Sequence, residues 1–232
     1  MTMEATDDLR CERKFLISEL SAKEIEEVIL LHPALFSTIY YERYINNIYF
    51  DNLEFLSFYE NQSGTTPRKK IRIRWYGDLS ENIKKPVLEI KRKFGNVGKK
   101  DFYSLPDLCF RDFLSKSETL DVIKNAASFE DSKKELVLLA PTLINRYKRK
   151  YFLSADGHYR ITLDSNINFF SVSSIGSLIS ENEFCEPYNV LELKYNHTKD
   201  AEASRVTNHF PFRLTKSSKY VLGILKLSSS GW

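Results

Sequence analysis

KKIRIRWYG (Lys69 to Gly77) and VLEIKRKFG (Val87 to Gly95) set a charged side chain against an apolar one at almost every step. Three further stretches repeat the pattern: LRCERKFLI (Leu9 to Ile17), HYRITLD (His158 to Asp164) and VLELKYN (Val190 to Asn196). Successive side chains of a strand point to opposite faces, so residues two apart share one. Lys70, Arg72 and Arg74 therefore form one ionic row, Glu89, Lys91 and Lys93 a second, and Arg10, Glu12 and Lys14 a third. Arg160, Thr162 and Asp164 make a fourth, Glu192 and Lys194 a fifth. Ile71, Ile73, Leu88, Ile90, Ile161, Leu163, Leu191 and Leu193 fall on the opposite side. Like charges this close along and across strands repel. One such row is most simply a solvated face. Five in one chain call for something strongly negative to sit on them.

Two arrangements accommodate such strands. An open sheet can bury its apolar side under helices and show its charges to water, or the sheet can close into a barrel with a polar lumen. Alternation alone does not separate them, but five rows of similar content favour the barrel. Between the strands, Ser21 to Glu24 reads as a capping-box start of a helix ending near Pro33. Ile45 to Asp51 reads as a strand, Asn52 to Asn61 as a short aromatic helix, and Lys100 to Leu105 as a short strand. Asp107 to Lys134 reads as mostly helical, Thr142 to Leu153 as a strand, and Ser171 to Pro187 as a long Ser-rich loop. Thr198 to His209 and Lys219 to Leu227 complete the chain as helices. Residues 1–9 and 228–232 are expected to be flexible tails around one domain, 10–227.

Composition narrows the class. Of 232 residues, 42% are hydrophobic and 13% aromatic, enough for a real core. A net charge of +3 is too small to announce a nucleic-acid or membrane binder, so the placement of charge matters more than its sum. The three cysteines, Cys11, Cys109 and Cys185, lack metal or disulfide spacing. The four histidines have no triad or ligand spacing and read as surface or packing residues. With no membrane-length apolar run and an acidic start, the expectation is a cytoplasmic protein. No Walker A loop, dinucleotide fingerprint or kinase signature is present.

Convergent Arg and Lys suit phosphate, by paired donors and by point charge respectively. The interspersed Glu12, Glu89 and Glu192 suit a hard divalent cation bridging carboxylate and phosphate oxygens. For any one of them alone, a salt bridge to a neighbouring base is the simpler reading. Arg149, between Tyr147 and Tyr151, is a further phosphate contact, and Lys216 to Lys219 precede a helical stretch whose amides favour anions. Bases interleaved with Glu, and no clear stacking platform, argue against nucleic acid.

In order, ERKF (Glu12 to Phe15), NIYFD (Asn47 to Asp51), RIRWYG (Arg72 to Gly77), LEIKRK (Leu88 to Lys93), YKRKYF (Tyr147 to Phe152), YRITLD (Tyr159 to Asp164), VLELKYN (Val190 to Asn196) and KSSKYVLGI (Lys216 to Ile224) resemble one family. It is the polyphosphate polymerase domain of the vacuolar transporter chaperone (VTC) proteins, within the CYTH-like triphosphate tunnel metalloenzymes. The resemblance implies an α+β, mainly β fold: an eight-stranded antiparallel closed tunnel barrel with a polar lumen and helices packed outside. It implies transfer of the γ-phosphate of ATP, or another nucleoside triphosphate, to inorganic polyphosphate with Mn²⁺ or Mg²⁺. Carried onto this chain, Lys14, Arg72, Arg74, Lys91, Arg149, Arg160 and Lys194 form the catalytic set. Arg10, Lys70, Lys93, Lys216, Ser218 and Lys219 bind substrate. Glu192 is the principal metal ligand, with Glu12 and Glu89 as second ligands or orienters of nearby bases. Two departures stand out: Ser217 replaces an aromatic, and Arg10-x-Glu12-x-Lys14 replaces the wider superfamily's Glu-x-Glu-x-Lys. The second weakens a hydrolytic two-metal reading. Tri- or polyphosphate hydrolysis and non-catalytic polyphosphate binding remain the alternatives. Export of a chain would need a membrane-protein partner in trans.

Overall fold

The computed structural model describes residues 10–79, 82–94, 97–109, 138–172 and 186–229. The expected helical stretch Asp107 to Lys134 and the loop Ser171 to Pro187 lie mostly outside these residues. Eleven strands and four α-helices are described: β1 (Arg10–Ile17), α1 (Ala22–Leu30), β2 (Ser37–Asp51), α2 (Leu56–Ser63), β3 (Arg68–Tyr76), β4 (Asn82–Ile83), β5 (Val87–Phe94) and β6 (Val97–Ser104) come first. Then follow β7 (Leu108–Cys109), β8 (Ala140–Leu153), β9 (Tyr159–Phe170), β10 (Asn189–Asn196), α3 (Asp200–Thr207), β11 (Leu214–Thr215) and α4 (Lys219–Ser229). Ser21 caps α1 through the reciprocal bond with Glu24 that the sequence pattern predicts.

Every strand pair is antiparallel, and one sheet runs β11-β1-β10-β9-β8-β2-β3-β5-β6, with β4 and β7 pairing separately. This corrects the expected eight-stranded closed barrel: the main sheet has nine strands and its end strands, β11 and β6, share no ladder. The two-residue β11 takes the free edge of β1, the edge through which a closed ladder would continue. Side chains instead span the gap, Lys91 of β5 pairing with Glu12 of β1. The sheet is therefore curled about its ionic face without backbone closure.

The apolar rows build the core on the outer side. Phe15, Ile161, Leu163, Leu191 and Leu193 are buried beneath Ile25 and Ile29 of α1 and Ala203 and Val206 of α3. Ile71, Ile73, Trp75, Leu88 and Ile90 form a second cluster with Ile83, Leu105 and Leu108 around the β4–β7 pair. Helices are not confined to the outside. Tyr220 and Ile224 of α4, with Phe58 of α2, pack on Tyr49 and Leu143, which face one another across the β2–β8 ladder. Because Tyr49 also lines the ionic lumen, α4 caps the inner face of the sheet. Among the described residues, no helix is long and apolar enough to cross a membrane.

Candidate functional site

Four of the five ionic rows converge. Arg72 and Arg74 from β3, Glu89 and Lys91 from β5, Glu12 and Lys14 from β1, and Glu192 and Lys194 from β10 all line one inner cavity of about 100 Å³. Lys70, Lys100, Arg149 and Lys219 complete its charged wall, making nine bases against three carboxylates. It shares Glu12, Lys14, Lys70, Lys91 and Ser218 with a larger cavity of about 690 Å³. The larger space adds Arg68, Lys93 and Lys216, and is walled by Val221, Leu222 and Leu225 of α4.

Cross-strand register explains the inner contacts. Arg72 faces Glu89 directly, and Glu89 Oε2 accepts from Arg72 Nε at 2.8 Å while Oε1 sits 3.0 Å from Arg74 Nη1. Burial alone would raise the Glu89 carboxyl, but Arg72 and then Arg74 pull it down to about 2. Arg74 also donates from Nε to Asn47 Oδ1 at 3.0 Å, and Asn47 Nδ2 donates to Asn145 Oδ1 at 2.8 Å. Arg149 faces Asp164 across β8–β9 and donates to both of its oxygens, at 2.5 and 2.6 Å. Lys219 Nζ reaches the same carboxylate at 2.5 Å, tying the start of α4 to the lumen floor. Asp164 is fully buried, and its carboxyl is held low against burial by Arg149 and Lys219.

Glu192 lies among bases: Lys14 Nζ is 3.3 Å from Oε1, Lys194 Nζ 2.8 Å from Oε2 and Arg149 Nη2 3.9 Å from Oε2. Despite burial, Lys14, Lys194, Lys219 and Arg149 hold it well below the usual carboxylate range. The cations without such answers move the other way. Burial, then Lys14, Lys91 and Arg72, push Lys70 well below an ordinary lysine, and its Nζ donates to the neutral Ser218 Oγ at 2.8 Å. Burial, then Lys91, Arg72 and Lys194, bring Lys100 down to about 7. This excess of crowded positive charge suits an anion of several charges.

Two of the expected residues stand apart. Arg160 faces Lys194 in register, yet it is exposed and lines neither cavity. Arg10, at the first position of β1, is also exposed and outside both linings. Lys93 and Lys216 line the larger cavity only. Sequence reading missed Lys100, Tyr49, Tyr147, Arg68 and the Asn47–Asn145 pair. The two asparagines sit on inner rows that parity alone identifies, Asn47 two residues before Tyr49 and Asn145 two before Tyr147. Lys100 follows Gly98 in a segment whose alternation is too short to read.

Among the described residues no three His, Cys, Asp or Glu side chains converge to hold a metal. Glu12 and Glu192 lie close enough to repel one another. That pair fits a Mg²⁺-type ion, which takes one or two carboxylates and completes its shell with phosphate oxygens and water. Glu89, with each oxygen engaged by an arginine, fits the orienting role instead.

Solved structures share this fold at low identity. An adenylyl-cyclase-like protein from Hippeastrum described as having a dominant triphosphatase activity aligns with TM-score 0.58 and 12% identity, over 94% of this chain and 96% of that one. A protein from Pyrococcus horikoshii aligns with TM-score 0.55 and 14% identity, over 94% and 99%. An adenylate-cyclase-like protein from Vibrio parahaemolyticus gives 0.52 and 11%, over 91% and 97%. No curated protein sequence matches the chain. The family model of the VTC domain matches residues 9–228, and with its ionic rows folded inward as they are, the chain belongs to the VTC-domain family.

Proposed function

We propose that this protein is a polyphosphate polymerase that moves the γ-phosphoryl group of ATP onto the end of a polyphosphate chain held in the lumen. One observation carries the reading: nine bases crowd an inner cavity that holds only three carboxylates, inside a VTC domain. A linear polyphosphate presents the compensating charge along its whole length. Arg72, Arg74, Lys91 and Arg149 would clamp phosphoryl oxygens, with Glu89 and Asp164 holding the arginine forks. Lys14, Lys194 and Lys219 surround Glu192 and would gather the charge that spreads over the transferred group. A terminal phosphate oxygen of the chain attacks the γ-phosphorus, the bond from γ-phosphorus to the β–γ bridging oxygen breaks, and ADP leaves with that electron pair. The acceptor is itself a nucleophile, so no side-chain nucleophile is needed. Glu12 and Glu192 would hold Mn²⁺ or Mg²⁺, which supplies neutralisation of phosphate charge when bound.

Purified protein given ATP, Mn²⁺ and a short polyphosphate primer should lengthen the primer. Arg74→Ala and Glu192→Ala should each abolish growth while the thermal melt stays cooperative. No long product across several metals and nucleotides would overturn the reading. Hydrolysis is the second reading, favoured by the triphosphatase activity described for the Hippeastrum neighbour. Orthophosphate released from tripolyphosphate without chain growth would select it.

A further inference from the structure

The inner rows continue past the smaller cavity. Tyr76 stands two residues beyond Arg74 on β3, and Tyr151 two beyond Arg149 on β8, so both keep the lumen-facing parity. Between those strands, β2 places Arg43 opposite Arg149 in register. The Arg43 guanidinium carbon lies 4.2 Å from the centre of the Tyr76 ring, 4.9 Å from Tyr151 and 5.8 Å from Tyr40. Its Nε donates to Tyr151 Oη at 3.1 Å. Arg72, Arg74 and Arg149 are each answered by a carboxylate. Among the described residues Arg43 has none, and the terminal nitrogens of its guanidinium donate to no protein atom. Of the two arginines that face each other here, Arg149 is answered by Asp164 and Arg43 is left without a carboxylate, and a guanidinium steadied by ring faces keeps its edge free for a bidentate acceptor. Tyr40 and Tyr76 are 57% and 46% exposed, so this edge meets solvent.

Position gives the pocket its meaning. Along β3, Arg68 and Lys70 line the larger cavity, Arg72 and Arg74 the smaller, and Tyr76 comes next. Arg68 and Tyr76 are thus separated by roughly 26 Å of strand. We propose that Arg43, walled by Tyr40, Tyr76 and Tyr151, is a second phosphate-binding station at the end of the lumen away from α4, gripping a chain that has passed the central cavity. The inference rests on the reading that the lumen takes linear polyphosphate, but not on which reaction occurs there.

The test is metal-free binding, measured by calorimetry at several salt concentrations, of tripolyphosphate and of long-chain polyphosphate. Arg43→Gln should weaken long-chain binding about tenfold, the worth of one charge-assisted contact. It should lower the salt slope of that binding by about one, and leave tripolyphosphate affinity unchanged. Arg43→Lys, which keeps the charge but loses the paired donors, should restore the salt slope and only part of the long-chain affinity. Equal affinity of Arg43→Gln and the parent for long chains would overturn the station while leaving the central site intact. So would a salt slope that Arg43→Gln does not lower, since that marks Arg43 as packing and not as a phosphate contact. If neither ligand binds the parent protein, the functional reading and the station fall together.

Discussion

Lys91 of β5 is ion-paired with Glu12 of β1, across strands that share no backbone ladder. This contact encloses the lumen where the sheet does not close, and it spends a lumen cation on a carboxylate that also stands beside Glu192. The pair is partly open to water, with side-chain exposures of 29% and 20%, so it is a modest tether and a movable one. On the proposed reading, phosphate entering the cavity would compete with Glu12 for Lys91 and free Glu12 for a cation.

Glu12→Gln should therefore separate binding from turnover. With Lys91 released, metal-free tripolyphosphate should bind several-fold tighter than to the parent protein, read by calorimetry. Metal-supported primer extension should fall by about a hundredfold or more, the scale of losing one charge-stabilising contact in phosphoryl transfer. Tighter binding with undiminished turnover would show that Glu12 only restrains Lys91.

Lys100 should give the lumen a pH response. Burial, then Lys91, Arg72 and Lys194, bring its ammonium down to about 7, against 10.5 for an ordinary lysine. Above pH 7 it is mostly neutral and must gain a proton to pair with phosphate. Affinity for a polyanion should then weaken as pH rises from 7 to 9, by up to about tenfold per unit for one linked proton. Lys100→Arg, charged throughout, should flatten the profile. Comparing parent and variant with the same ligand cancels the titration of the polyphosphate itself. Identical profiles would remove Lys100 from the contact set.

The lumen was legible because its signal is periodic. Rows such as Lys70-Arg72-Arg74 and Glu89-Lys91-Lys93 place every member on one face whatever the details, and the structure turns them inward together. Arg160 and Arg10 obey the same parity yet sit at exposed positions, because parity fixes the face and says nothing of depth along the strand. Closure was misread for a related reason. A two-residue strand such as β11 has no period to detect, yet it takes the free edge of β1. Arg43 escaped notice because TIYYERY, within β2, clusters its aromatics without clean alternation, and the β2–β8 register shifts between Tyr40 and Arg43.

α4 offers a test of how the lumen is positioned from outside the ionic rows. Gly223 lies where α4 meets the sheet, and a Cβ there would stand 2.6 Å from both Leu143 Cδ2 and Phe169 Cδ1. Leu143 is fully buried, so the clash is relieved by a shift of these side chains against their packed neighbours or by a lift of the helix. Lys219 begins that helix and is anchored on Asp164, while Ser218 just before it receives Lys70. Gly223→Ala should cost about 1–3 kcal/mol of stability, as overpacking of a filled interface does, seen as a lower thermal midpoint. Because α4 walls the larger cavity, the variant should also raise KM for polyphosphate primer more than it lowers kcat. Saturating polyphosphate should recover part of the lost midpoint, since a ligand that holds α4 down favours the folded form. A destabilised variant whose KM matches the parent would mean that α4 supports the fold without setting the lumen.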